Sequence, residues 1–118
     1  MREERGTLKG NQVISEALDL WGTIVGDVSI VDGGKVYLRG AVYGNLTVYM
    51  GGRVHIYGNV SGNLYVEEGS KVIHSGVIGG DAINNGGRLY IEPKCQIMGK
   101  VKTRSGETKI DARANVRE

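Results

Sequence analysis

Apolar and polar residues alternate along this chain in short bursts, and the bursts recur on a fixed period. Within 41–43, 46–49 and 53–57, alternation places Val42, Leu46, Val48, Val54 and Ile56 on one side. It places Tyr43, Thr47, Tyr49, His55 and Tyr57 on the other, the two-residue rhythm of half-buried strands. The unit apolar-x-Gly-(Asp/Asn)-apolar begins at Ile24, Val42, Val60, Ile78 and, more loosely, Ile97, in steps of 18, 18, 18 and 19. A second marker keeps the same period: Gly33-Gly34, Gly51-Gly52, Gly69-Ser70 and Gly86-Gly87. Two markers locked to one period describe a structural repeat. Hairpins would not return each side chain to the same setting every 18 residues, whereas a coil climbing above itself does.

The pattern predicts an all-β fold, a single-stranded parallel β-helix of about 18 residues per coil, with strands about 4.8 Å apart. Right-handed coiling follows from the general preference of parallel crossovers. Three short strands form each coil, and glycines at 40, 44, 51 and 52 mark its corners. Val36, Val54, Val72 and Leu89 stack inside, as do Ile24, Val42, Val60, Ile78 and Ile97. Each such aliphatic group contributes about 1.5–3 kcal/mol on burial. Asp27, Asn45, Asn63 and Asp81 stack at one corner, read as a coil-to-coil ladder rather than a cation site.

Three stretches follow: an N-terminal arm or capping coil over 1–21, a β-helix of about five coils over 22–102, and a final partial coil with a polar tail over 103–118. Leu18 and Leu20 lie one period before Val36 and Leu38. The stretch 14–20 lacks a paired-glycine corner and reads as an irregular first coil or a short capping helix.

Composition sharpens this picture. Twenty glycines among 118 residues, without a three-residue period and amid much Val, Ile and Leu, mean many turns, not collagen or disorder. A net charge of +2 does not by itself name a partner. The single Cys95 excludes an internal disulfide and suits a reducing, cytoplasmic setting. No apolar run reaches membrane-spanning length.

No catalytic, cofactor or metal constellation is visible, and no enzyme activity is expected. His74 falls in the inner column of Leu38, Ile56 and Ile91 and reads as a satisfied, semi-buried histidine. Cys95 follows an insertion at 92–94 and lacks a second cysteine at metal-binding spacing. The glycine stretches do not match phosphate-binding loops. Left-handed hexapeptide solenoids of acyltransferases share the 18-residue coil, and Val42, Val48, Val54 and Val60 obey their sixfold rule. The glycine pair, however, falls once per coil.

One outward surface has chemical character. Lys35, Arg53, Lys71 and Arg88 form a cationic column, flanked by Tyr37, His55 and Tyr90 and then by Arg39 and Tyr57. Basic groups interleaved with aromatics suit a polyanion or a partner protein. The bland reading is a solvated sheet face.

The V-x-G-(N/D)-(V/L) unit, as in Val42-Tyr43-Gly44-Asn45-Leu46 and Val60-Ser61-Gly62-Asn63-Leu64, resembles that of the bactofilins, polymer-forming bacterial cytoskeletal proteins. The resemblance spans about 22–102. It implies a right-handed β-helix that stacks end to end without nucleotide, with the chain itself as partner. The charges Lys100, Lys102, Arg104 and Lys109 favour a dimer or short oligomer over a long filament.

Overall fold

The structure, a computed structural model, describes residues 1–117, with side chains through Val116. It is all strand and turn, with parallel strands stacked as a β-solenoid of about six turns. Each coil has three faces. The first carries strands Arg2–Glu4, Ala17–Leu20, Lys35–Leu38, Arg53–Ile56 and Lys71–His74, continued by 88–91 and 107–110. The second carries Thr7–Lys9, Thr23–Val25, Ala41–Tyr43, Asn59–Val60 and Val77–Ile78. The third carries Gln12–Ile14, Val28–Ile30, Leu46–Val48 and Leu64–Val66.

Register makes the stacking columns explicit. Val36, Val54, Val72 and Leu89 pair in succession, and so do Ile24, Val42, Val60, Ile78 and Ile97. All are buried. The expected corner ladder is present, and it joins side chains to backbone. Asn11, Asp27, Asn45, Asn63 and Asp81 each offer Oδ1 to the amide one coil on, at 2.8–2.9 Å. It ends where Lys100, lacking an acceptor, donates its amide to Asp81.

Close stacking explains a glycine column that the two markers did not include. Gly22, Gly40, Gly58 and Gly76 lie at a corner where successive backbones touch. A Cβ on Gly58 would sit 1.8 Å from the Gly40 carbonyl oxygen. In the next coil the insertion carrying Pro93 and Lys94 widens this corner, and Cys95 turns into the core there. Burial, aided by Glu92, pushes the Cys95 thiol up to about 11.

The irregular coils have simple causes. Residues 14–20 form no helix: Ile14 ends one strand, 15–16 bend, and Ala17–Leu20 is the next strand. Leu18 pairs with Val36 at 18 residues, but Arg2 pairs with Leu18 at 16, because 15–16 replace the four-residue turn 31–34. Lys71 pairs with Arg88 at 17 because 85–87 shorten the same turn. Asn84, fully buried in the column of Ile30, Val48 and Val66, holds that shortened turn. Its Oδ1 accepts from the Gly86 and Gly87 amides at 3.0 and 2.9 Å, and its Nδ2 donates to the Glu107 carbonyl at 2.9 Å.

His74 departs from expectation. It is fully buried rather than semi-buried, and only half satisfied: Nε2 lies 3.2 Å from the Gln96 carbonyl, while Nδ1 has no partner among the described residues. Its stacking neighbours, Ile56 and Ile91, are aliphatic, so the ring is desolvated and its pKa falls to about 4.

Candidate interaction face

All nine residues expected to form the interaction surface lie on or at the border of the first face. Strand alternation dictates this: the buried Val36, Val54, Val72 and Leu89 turn their outward neighbours to one side. Lys35, Arg53, Lys71 and Arg88 pair in register, so their side chains leave the sheet one strand apart, about 4.8 Å. Glu107 ends the column. Ion pairs elsewhere engage Arg2, Arg5, Arg39, Lys102, Lys109 and Arg113. Among the described residues, none of the four stacked cations has a carboxylate within 4.0 Å. Like charges stacked across neighbouring strands repel, so this arrangement destabilises the free protein.

The aromatic half behaves differently. Arg39 lies between Trp21 and Tyr57, 4.9 and 5.0 Å from their rings, and 5.6 Å from that of Tyr37. Asp19 accepts its Nε at 2.7 Å, and that hydrogen bond holds the Asp19 carboxyl below the usual carboxylate range. His55 stacks on Tyr57 at 3.9 Å, and its Nε2 lies 3.1 Å from Ser75 Oγ. Burial pushes His55 down, with Arg39 adding to the effect and Glu92 opposing it. Lys35 covers Tyr37, while Lys71 and Lys109 flank Tyr90. Arg39, His55 and Tyr57 therefore belong to a self-contained stack, and the cationic column is the part left open.

Beside that column runs a trough that the sequence reading did not single out. Its floor is the paired-glycine corner, Gly51-Gly52, Gly69-Ser70 and Gly86-Gly87, and Arg53, Lys71 and Arg88 form one wall. Gly51 and Gly69 have φ of 81° and 76°, so side chains of their own are disfavoured there, and the Asp32 and Met50 side chains lie against them. Asp32 stands on the opposite rim, beside Gly51, as Glu68 stands beside Gly86. The trough encloses roughly 520 Å³. The signal was present in the sequence: each cation follows the first residue of its glycine pair by two positions, as in Gly51 and Arg53.

No grouping of three or more His, Cys, Asp or Glu side chains among the described residues is placed to hold a metal ion. No helix among them is long and apolar enough to cross a membrane. Fold and surface together define a class, a small β-solenoid compatible with a structural or binding role. No family model, curated protein or solved structure matches the chain.

Proposed function

We propose that the chain is a non-enzymatic solenoid binding module whose basic side face holds an anionic partner. One observation carries this reading: four stacked cations with no carboxylate within 4.0 Å among the described residues. Binding of a polyanion would relieve their mutual repulsion and release its counterions, which favours association at low salt. A cytoplasmic setting belongs to the same proposal, supported by the single cysteine being a buried thiol.

The test is salt elution from immobilised dextran sulfate. Wild-type protein is expected to be retained, and the double variant Arg53→Ser with Lys71→Ser to elute at clearly lower salt with unchanged circular dichroism. Equal elution of the two would overturn the reading.

Self-association through the coil ends, as a bactofilin-like scaffold, is a second proposal. It is supported by Arg2–Glu4, Thr7–Lys9 and Gln12–Ile14, which among the described residues pair on one side only, leaving a strand edge that another coil could extend. Against it, Arg2, Glu4 and Gln12 occupy inner columns in that coil, and Arg2 is ion-paired to Glu16. Charges at inward positions oppose stacking of an identical apolar coil. Light scattering across protein concentration at low and high salt separates the proposals. A strictly monomeric species throughout would end the scaffold reading and leave the side-face reading intact.

A further inference from the structure

We infer that the glycine-floored trough binds a linear acidic polysaccharide with about one anionic group per sugar ring, lying along the solenoid axis. This deepens the basic-face proposal and rests on it.

Three features select the ligand class. First, the anion sites form a ladder: Arg53, Lys71 and Arg88 rise one strand at a time, about 4.8 Å per step, along one wall. That matches a polymer whose charges come once per pyranose ring better than polyphosphate, whose charges are more closely set. Second, the neighbouring rings have little face left to offer. Cations cover Tyr37 and flank Tyr90, and His55 is stacked on Tyr57. Single-stranded nucleic acid is held largely by bases stacking on open aromatic faces, and this surface supplies few. Third, the far rim carries one carboxylate, Asp32, with Met50 beyond it. Asp32 makes no hydrogen bond or ion pair among the described residues and lines the trough opposite the cations. A carboxylate there repels a polymer made only of anionic groups, but it accepts hydrogen bonds from hydroxyls. Sugar rings carry both kinds of group, with the anions meeting the basic wall and the hydroxyls meeting Asp32.

Titration calorimetry with polygalacturonate, oligothymidylate and polyphosphate, matched in total charge at low salt, tests the inference. The expected result is binding of polygalacturonate about tenfold or more tighter than either of the others. The Asp32→Ala variant decides between hydroxyl recognition and charge alone. It should bind polygalacturonate several-fold more weakly, whereas a site working by charge alone would bind it more tightly. Oligothymidylate or polyphosphate binding as well as polygalacturonate, or Asp32→Ala binding as well as or better than wild type, overturns the polysaccharide and leaves the basic face standing. No binding of any of the three overturns both.

Discussion

His74 shows what a single side chain costs in a stacked core. Its inward position was legible because it lies 18 residues after Ile56. Its hydrogen bonding was not, since the Gln96 carbonyl reaches Nε2 only through the corner widened by Pro93 and Lys94. With a folded pKa of about 4 against an unfolded value near 6.5, the unfolded chain binds the extra proton between those values. Stability contributed by neutral His74 is thus fully present above about pH 6.5 and is lost as pH falls towards 4, on the order of 3 kcal/mol in all. Urea unfolding across this range is expected to show His74→Leu losing distinctly less stability on acidification than wild type. At pH 7 the two should agree within about 1 kcal/mol, because the variant removes the unpartnered Nδ1 but strips the Gln96 carbonyl of its donor. A pH dependence unchanged by the substitution would contradict the assignment.

At the scale of strands and turns, repetition made the fold readable. The 18-residue period fixed which residues stack, because in-register parallel pairing gives each position the same environment in every coil. The markers showed the later steps of 17 and 19 without their cause, and they missed the 16-residue first coil. Those depend on turn geometry, with Asn84 bonding a shortened corner from inside a column where Val48 and Val66 stand elsewhere. Close stacking makes a sharp prediction. Gly58→Ala forces a Cβ into the Gly40 carbonyl and should cost several kcal/mol in chemical denaturation, at or above the usual range for overpacking. Gly6→Ala, where the nearest atom is a side-chain oxygen at 3.6 Å, should cost less than about 1 kcal/mol. The corner ladder gives another. Asn45→Ala leaves the Asn63 amide without its acceptor and should lower stability by about 1 kcal/mol in the same measurement.

For the whole molecule, a rigid solenoid turns a periodic sequence into a periodic surface. The nine face residues could be placed from spacing alone, because outward alternation and the coil period leave them one side to occupy. Spacing did not show that Arg39 is already held by Asp19, Trp21 and Tyr57, nor that the open part of the surface is Lys35, Arg53, Lys71 and Arg88 beside a glycine corner. Those distinctions rest on side-chain reach across neighbouring coils. Once they are drawn, the surface divides into a stack that closes on itself and a charged wall that does not.

An amide NMR titration of the whole chain with polygalacturonate reports where on the solenoid a polyanion lands. Saturable shifts concentrated at Gly51, Gly52, Arg53, Gly69, Lys71 and Arg88, reversed by added salt, are expected if the basic face holds it. Shifts confined to the end coils around Arg2–Glu4 and Asn115–Arg117, or no shifts at all, would contradict that reading.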